Sequence, residues 1–409
     1  MHNPDLDRGF RPLAQANLAA QSAEQLGLAA TPMLAVLVLG AGAGEVGLLA
    51  AAQSLPFLLL AIPLGLWADR HPRRQLMLMA ELLRGATLLG LVAAVLTGTV
   101  SLALLAALGF AGAVGTVAFS VAAPALVPDL VPREQLGRAN SRLELARSLA
   151  YAGGPALAGA LVAHAGASAA FVLAAMLSCA AALLLWRVKE PARVLRPARH
   201  PLIELREGLA FVWQHRLLRP ILYTAVVWNI SWFVLQAAYV PYAMRALGLD
   251  ASGVGLTLAC YGAGMVVGAL LAGRLIARVR YGTAVVLGPL VSVLAAAAMV
   301  ATLAWPQPAW ATLSFTLFGI GPIIWTISST TLRQTVTPLS LLGRVSAVML
   351  TVNTGARPLG AALGGAVGAA WGEGACLVLA LAGFGLQATL IMASPVRSLP
   401  SLPSTPGAG

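Results

Sequence analysis

The sequence predicts an all-α membrane protein of twelve transmembrane helices, arranged as two pseudo-symmetric six-helix bundles. Of its 409 residues, 59% are hydrophobic and only 10% are charged, and the mean hydropathy is +0.84. Soluble domains carry roughly 25% charged residues, so a chain of this composition needs lipid to solvate its apolar surface. Apolar runs of about twenty residues recur along the whole chain, as membrane-crossing helices require.

Twelve of these apolar runs are long enough to cross a bilayer. They are predicted at residues 14–40, 45–68, 75–98, 101–127, 140–163, 168–186, 219–245, 251–276, 282–304, 308–331, 344–368 and 374–394. The first run follows a short polar tail and has no small-residue cleavage site directly after it. We therefore expect it to be retained as a membrane span.

A hydrophilic stretch at 187–217 separates the sixth span from the seventh. Within it, apolar residues alternate with charged ones, which predicts an amphipathic helix on the membrane surface. The apolar positions are Leu202, Leu205, Leu209 and Phe211. The predicted domains are an N-terminal bundle (1–186), this linker (187–217), a C-terminal bundle (218–396) and a tail (397–409).

The basic residues predict the orientation of the chain. The net charge is +12, but the charges are spread over short loops rather than gathered on one face, which argues against binding to nucleic acid. With twelve spans, nearly all the basic loops fall on one side, and Arg245 is the exception. This asymmetry predicts a bacterial inner-membrane protein with both termini in the cytoplasm.

Five positions recur between the two halves at one constant offset. The matched residues are Pro132 and Pro338, Gly137 and Gly343, Arg138 and Arg344, Gly154 and Gly360, and Gly159 and Gly365. Five matches in register are hard to attribute to chance. They predict two parallel six-span repeats around a central cavity.

The loop after span two combines a glycine, an acid and several bases at the membrane boundary. These residues are Gly65, Asp69, Arg70, Arg73 and Arg74. An isolated carboxylate at this depth is costly unless it meets a cation or a helix N-terminus. A loop that only fixed topology would need bases alone, so this spacing favours a gate.

Residues 65–74 resemble the cytoplasmic signature of the major facilitator superfamily, although Pro72 stands where the family often has glycine. The resemblance implies the major facilitator fold. It also implies that Asp69 docks on the N-terminus of span eleven, near Gly343 and Arg344, and closes the cytoplasmic side.

Three further segments, at 123–136, 206–211 and 342–345, resemble the macrolide-efflux and enterobactin-exporter branch of this superfamily. The resemblance covers nearly the whole chain and implies that spans one, five, seven and eleven line the cavity. It places span three outside the cavity, where Glu81 and Arg84 would form a structural pair or support the gate.

Ionisable residues inside the spans indicate the transport pathway, because each costs roughly 2.5–3.5 kcal/mol to insert. The candidates are Glu24 in span one, Arg147 in span five and Arg357 in span eleven. Polar residues expected beside them are Gln21, Asn229, Gln236 and Asn353. In one hypothesis Glu24 binds and releases protons as its surroundings alternate. In the other, Glu24 forms a static ion pair with Arg357 or Arg147, and Arg147 could equally pair with Glu144.

Aromatic residues crowd span seven. They are Trp228, Trp232, Phe233, Tyr239 and Tyr242. Such residues commonly anchor a helix at the membrane interface or pack in its core. We expect some of them to face the cavity, where they would suit a ring-bearing or apolar substrate.

The sequence predicts a secondary transporter that exports a small amphipathic or apolar compound, such as a drug, a macrolide or a siderophore, by proton-coupled alternating access. The alternatives are an importer of a small metabolite and a non-transporting sensor or assembly protein on the same scaffold. A Walker ATP site needs a glycine directly before its lysine. Lys189 is the only lysine and no glycine stands directly before it, which excludes such a site. We expect no enzyme activity, metal or other cofactor. The expected partners are the lipid bilayer, the substrate and protons, and we expect a monomer.

Overall fold

The computed structural model describes residues 4–131, 136–190, 201–338 and 341–403. Within these ranges, the side chains of residues 4–9, 66, 69, 136–138, 140–141 and 201–205 lie outside the description. The described residues form helices and connecting loops, with no β-strand among them. The predicted fold class, an all-α membrane protein of two six-helix bundles, is confirmed.

The described residues form eleven long helices and one short one. They are α1 (Pro4–Leu39), α2 (Ala43–Arg70), α3 (Arg73–Thr97), α4 (Leu102–Leu130), α5 (Leu136–Ala165), α6 (Ala167–Trp186), α7 (Pro201–Gln214), α8 (Leu218–Arg245), α9 (Ala251–Arg278), α10 (Tyr281–Ala301), α11 (Pro308–Val336) and α12 (Leu342–Met392). Gly372 has a φ of 80°, which breaks α12 into two parts. Each part is long enough to cross a bilayer, so that α12 accounts for the last two of the twelve predicted spans.

Helix ends follow the predicted spans closely except at the N-terminus. There α1 begins at Pro4 rather than near residue 14, because the helix continues through the polar segment before the apolar run. Ten helices are long and apolar enough to cross a membrane by length and composition. The more polar α5, which carries Glu144 and Arg147 in its first half, is not among those ten.

The internal repeat has a direct structural counterpart. A Cβ on Gly154 of α5 would clash with Gln25 of α1, and a Cβ on Gly360 of α12 would clash with the backbone of Ile230 in α8. Each glycine therefore lets the fifth helix of its bundle approach the first helix of the same bundle closely. The matched positions in the sequence make matched contacts in the two bundles.

Glycines also bring the two bundles into contact with each other. Gly47 of α2 lies against the backbone of Gly365 in α12, and Gly159 of α5 lies against the backbone of Gly255 in α9. Neither contact leaves room for a side chain, since an added Cβ would overlap main-chain atoms of the partner helix. These two crossings join the bundles on opposite sides of the molecule by the same device.

The two ends of the molecule differ in their chemistry. We call the end at which α1 begins the linker end, and the opposite end the far end. At the linker end, Glu190 accepts hydrogen bonds from the backbone N–H groups of Arg73 and Arg74, each 2.9 Å long. A carboxylate at this place satisfies the unpaired donors and the dipole of the first turn of α3.

The helix predicted in the linker is α7, which packs across the start of α12. A Cβ on Gly208 would clash with the backbone of Arg344, and Val212 is fully buried. Leu209, predicted on the apolar face, is exposed instead. The face of α7 that packs against α12 instead carries Gly208 and Val212, which lie one turn apart.

His215 joins the linker to the second bundle. Its Nδ1 accepts hydrogen bonds from the backbone N–H groups of Leu217 and Leu218, at 3.2 and 3.3 Å. Burial lowers the pKa of the His215 imidazole, which keeps it in the neutral form that can accept these bonds. His215 therefore caps the start of α8, where no serine, threonine or acid is present to do so.

Replacement of Gly47 by alanine should lower the thermal stability of the purified protein. The added methyl group would overlap the backbone of Gly365, and overpacking costs about 1–3 kcal/mol. Thermal unfolding in detergent, followed by tryptophan fluorescence, measures the effect. The matched control is Gly273→Ala on α9, where a Cβ meets open space. It should raise stability by about 0.5–1 kcal/mol, and equal midpoints for the two variants would contradict the proposed crossing.

Candidate functional site

A cavity of about 360 Å³ lies between the two bundles, and we call it the central cavity. Its charged and polar lining residues include Glu24, Gln25, Thr31, Gln53, Ser54, Arg84, Thr87, Thr116, Asn229, Gln236 and Arg357. Its aromatic lining residues are Phe57, Tyr151, Trp228, Trp232, Phe233, Tyr261 and Phe315. A concave, largely apolar chamber with a few polar groups is typical of a small-molecule site.

Glu24 lines the cavity from α1 and is partly buried. No ion pair within 4 Å and no hydrogen bond joins its side chain to another described residue, so the static pair with Arg357 or Arg147 is not present in this state of the molecule. The charges of Arg84, Arg357 and Arg147 act on Glu24 from a distance, with Arg84 exerting the largest effect. Glu24 is thus a carboxyl group in the membrane interior without a direct partner.

Arg357 lines the cavity from α12 and contacts aromatic rings of both bundles. Its guanidinium carbon lies 5.3 Å from the ring centre of Phe57 on α2 and 5.9 Å from that of Phe233 on α8. Such cation–π contacts hold a charged group against apolar walls. Its Nε is buried and donates no hydrogen bond to the described residues. Arg357 therefore combines a fixed position with an unused donor.

The remaining predicted pathway residues divide into two groups. Asn229 and Gln236 line the cavity, and Asn229 Nδ2 donates to Asn353 Oδ1 over 2.5 Å, so that Asn353 positions Asn229 from behind. Gln21 and Arg147 are not among the lining residues. Their places on α1 and α5 lie closer to the linker end.

Arg147 pairs with Glu144 of its own helix rather than with Glu24. The distance from Arg147 Nη2 to Glu144 Oε2 is 2.7 Å, and both side chains are substantially exposed. Residues three apart lie on one face of a helix, so this pair needs no contact between helices. Of the two arrangements that the sequence allows for Arg147, the structure contains this one.

Aromatic side chains form one wall of the cavity. Trp228 and Trp232 stack with their ring centres 5.4 Å apart, and Trp232 lies 5.0 Å from Tyr261 of α9. Tyr239 and Tyr242, further along α8, are buried and bonded to Thr257 and Thr302. The middle of α8, from Trp228 to Val240, therefore has one face on the cavity, whereas Tyr239 and Tyr242 pack in the core.

Span three, now α3, does line the cavity, contrary to what the resemblance implied. Arg84, Thr87, Leu88 and Leu91 contribute to the wall. Glu81, one turn earlier, is fully buried and its Oε1 lies 2.9 Å from Arg84 Nη1. The expected pair of Glu81 and Arg84 thus exists, but one member of it faces the chamber.

The predicted gate motif lies at the linker end. The side chain of Asp69 is outside the described residues, so its docking on α12 stays a prediction. Gly65 faces Val121 of α4, and a Cβ there would make an ordinary contact of 3.7 Å, so the helix approach does not require a glycine at this position. Arg73 is buried and its Nη1 lies 2.9 Å from Asp129 Oδ2 on α4. Asp129 and Glu190 are the acidic partners of this motif that sequence reasoning did not single out.

The other predicted gate residues have separate surroundings. Arg70 is exposed at the end of α2, and Arg74 donates to the carbonyl oxygen of Val188 at 3.2 Å. Gly343 is exposed, and a Cβ there would meet nothing within 4 Å. Arg344 forms an ion pair with Glu207 of α7. The start of α12 is therefore tied to the linker helix.

At the far end, Arg245 joins the second bundle to the first. Its Nη2 donates to the carbonyl oxygens of Gly40 (2.5 Å) and Ala41 (2.9 Å) in the α1–α2 loop. Its Nη1 lies 3.2 Å from Glu373 Oε1, just past the break in α12. The arginine that was an exception to the charge asymmetry thus forms a latch between the bundles, and we call it the far-end latch.

No group of three or more histidine, cysteine, aspartate or glutamate side chains could hold a metal ion in the part of the chain that the structure describes. The three cysteines are free. The chemistry of the central cavity therefore rests on carboxyl, guanidinium, amide and aromatic groups.

Comparisons with known proteins match this architecture. A family model described as Major Facilitator Superfamily matches residues 16–361. The enterobactin exporter EntS of Citrobacter koseri is 29% identical over 313 residues, which cover 75% of this chain and 72% of that protein. An uncharacterized MFS-type transporter, y4rN of Sinorhizobium fredii, is 31% identical over 61% of this chain and 63% of its own length. Among solved structures, a bacterial homologue of the iron transporter ferroportin in the inward-facing state has a TM-score of 0.73 and 19% identity, covering 94% of this chain and 98% of that one.

Replacement of Arg245 by glutamine should loosen the far end. Spin labels on Leu39→Cys and Trp371→Cys, in a chain whose native cysteines are replaced by serine, report the separation across the latch by pulsed electron paramagnetic resonance. Arg245 is partly exposed, so its loss should change the ratio of open to closed molecules by about fivefold, the equivalent of roughly 1 kcal/mol. Glu373→Gln should have a smaller effect, because the bonds to Gly40 and Ala41 remain.

The matched control is Arg219→Gln, which removes an exposed arginine at the linker end. Its distance distribution should equal that of the parent chain. A distribution in Arg245→Gln that also equals the parent's would mean that the latch does not hold the bundles together.

Proposed function

Because the chain belongs to the Major Facilitator Superfamily, we propose that it exports a small amphipathic compound by proton-coupled alternating access. It is a multi-pass membrane transporter of a small molecule and not an enzyme. The proposals of export and of proton coupling are supported by the central cavity. The observation on which they depend is that Glu24 stands in that cavity without an ion-pair partner among the described residues.

The position of Glu24 supports the proposed proton coupling. A carboxyl group inside the membrane is costly when it is charged, and here three arginines at a distance offset part of that cost. Glu24 belongs to the first bundle and Arg357 to the second, so a movement of the bundles changes the distance between these charges. The preference of Glu24 for its charged or protonated form then changes with each half-cycle, which couples protons to transport.

The substrate class is proposed from the cavity wall. Trp228, Trp232 and Tyr261 offer flat apolar surfaces, while Asn229 and Gln236 offer hydrogen bonds. A compound with aromatic rings and polar edges satisfies both kinds of group. The relative named enterobactin exporter supports export of a siderophore-like compound, and we adopt enterobactin as the first probe.

Alternating access is supported by where the bundles meet. The far-end latch and the contact of Gly47 with Gly365 close the far end. At the linker end, the described ion pair of Arg73 lies within one bundle and that of Arg344 is made to α7. A cycle of alternating access would require the far-end contacts between the bundles to open.

The orientation and organisation of the chain belong to the same proposal. The arginine-rich linker end would face the cytoplasm of a bacterium, with the protein in the inner membrane. The bundles would comprise residues 1–186 and 218–396, joined by the linker 187–217, with 397–409 as a tail. A monomer would suffice, because the cavity is built from one chain.

Replacement of Glu24 by glutamine should abolish proton-driven transport and leave downhill exchange intact. Proteoliposomes with an imposed pH gradient and external enterobactin, with erythromycin as a second probe, give the initial rate of uptake by inverted molecules. Counterflow between equal pH values measures exchange without proton coupling. The amide keeps the size and polarity of the side chain but cannot bind and release a proton.

The matched control is Glu144→Gln, which removes an exposed carboxylate outside the cavity. It should transport both probes at the parent rate. Proton-driven uptake by Glu24→Gln at the rate of Glu144→Gln would remove Glu24 from the mechanism. Absence of flux for both probes in the parent protein would instead count against the proposed substrate class.

Replacement of Trp232 by alanine should weaken binding of enterobactin by about tenfold or more. A buried aromatic side chain contributes roughly 1.5–3 kcal/mol, and Trp232 stands at the centre of the aromatic wall. Equilibrium binding to the purified protein measures the change. Trp371→Ala, at an exposed tryptophan of the far end, is the control and should bind as the parent does. Equal affinities for the two variants would place the binding site elsewhere.

A further inference from the structure

A second carboxyl group lies behind the wall of the central cavity. Glu81 is fully buried in the first bundle, and its Oε1 lies 2.9 Å from Nη1 of Arg84. Neither oxygen of Glu81 receives an aligned hydrogen bond from the described residues. The hydroxyl of Ser178 on α6 is close enough to act on the carboxylate but is also unaligned. Among the described residues, Glu81 thus has Arg84 as its ion-pair partner and lacks the well-aligned hydrogen bonds that a buried carboxylate needs.

The aligned donors of Arg84 point away from Glu81. Its Nη1 donates to the carbonyl oxygen of Ala20 on α1 (2.9 Å), and its Nη2 donates to Thr116 Oγ1 on α4 (3.1 Å). Ala20 lies one helical turn before Glu24, on the same face of α1. The guanidinium group of Arg84 therefore stands between two carboxyl groups, in contact with Glu81 and directed toward the helix that carries Glu24.

We propose that Glu81 is a second proton-binding site of the transporter and that Arg84 is a counter-ion which Glu24 and Glu81 use in turn. This inference rests on the proposed proton coupling and extends it to a residue outside the cavity lining. A single arginine cannot pair closely with both carboxylates at once. When Arg84 turns to Glu24, Glu81 is left in an apolar interior where an unpaired charge is strongly disfavoured.

A hydronium ion in the central cavity gives its proton to a Glu81 oxygen. One O–H bond of hydronium breaks and leaves water, one O–H bond forms on Glu81, and the ionic contact with Arg84 breaks. The positive charge of Arg84 then faces Glu24. The net charge of Glu24, Glu81 and Arg84 together rises by the one positive charge of the bound proton. When Arg84 returns, the O–H bond breaks and the proton leaves to water on the opposite side of the membrane.

The groups that face this site come from each helix packed against it. Glu24 belongs to α1, Thr116 to α4, and Ser178 and Cys179 to α6. Arg357 of the second bundle and Arg147 of α5 act on Glu24 from a distance. Of all these groups, Arg84 is the one cation within contact distance of Glu81 in the described part of the chain.

Infrared spectroscopy of the full chain in lipid tests the proposal without a substrate. Protonated carboxyl groups give a carbonyl band that is separate from carboxylate bands, and this band is recorded through a pH titration. Glu81→Gln should lose one component of the band, and Glu24→Gln should lose another. The double variant should lose both, and the control Glu144→Gln should retain both. A titration of Glu81→Gln that superposes on that of Glu144→Gln would overturn the proposal.

A second variant keeps the test valid if Glu81→Gln does not fold. Ser178→Ala leaves both charges in place and removes the hydroxyl beside Glu81, so the frequency of the Glu81 component should shift while the Glu24 component stays. A spectrum of Ser178→Ala without any shift, in the absence of folded Glu81→Gln, also overturns the proposal.

The outcome is separable from that of the proposed function. If Glu24→Gln abolishes proton-driven uptake of enterobactin and Glu81→Gln retains the full acid band, the transporter is proton-coupled through Glu24 alone. If the Glu81 component titrates in a protein that moves neither probe, the second proton site stands and the proposed substrate class does not.

Discussion

The cost of holding ionised side chains inside a membrane constrains the whole structure, because each charge costs roughly 2.5–3.5 kcal/mol unless other groups offset it. Four such groups line the central cavity or lie directly behind its wall: Glu24, Glu81, Arg84 and Arg357. The two acids and Arg84 belong to one bundle and Arg357 to the other. When both acids are ionised, the charge of Arg357 balances the net negative charge of the first bundle's three groups across the cavity.

The glycine contacts determine how the bundles can be arranged. The contacts of Gly47 with Gly365 and of Gly159 with Gly255 are main-chain contacts, so the paired helices meet closely at these two points. Because the repeats are equivalent, the two crossings lie on opposite sides of the cavity. The far-end latch of Arg245 adds polar bonds beyond both of them. Rotation about these crossings would open one end of the cavity as it closes the other.

Patterns in the sequence were sufficient to predict the fold, but they predicted only part of the candidate functional site. Apolar runs predicted the helices, and the matched glycines of spans five and eleven predicted the repeats, because both patterns can be read from the sequence without knowledge of the tertiary contacts. They could not predict that Arg84 enters the cavity wall, because the rotation of α3 about its axis depends on packing against α4 and α6. Nor could spacing identify Glu190 as the cap of α3, because it comes from a loop 117 residues away. The sequence identified Arg245 as an exception to the charge asymmetry of the loops, but its partners could be identified only from the fold.

The two pairs of opposite charge respond differently to a movement of the bundles. Glu24 and Arg357 lie on different bundles, so a rigid rotation changes their separation directly. Glu81 and Arg84 lie on the same helix, three residues apart, and a rigid rotation leaves their contact unchanged. A change at Glu81 therefore requires Arg84 to leave its bonds with Ala20 and Thr116. When Arg357 moves away from Glu24, the negative charge of Glu24 attracts Arg84 more strongly. This attraction favours the release of Arg84 from Ala20 and Thr116, and it links the side-chain step to the movement of the bundles.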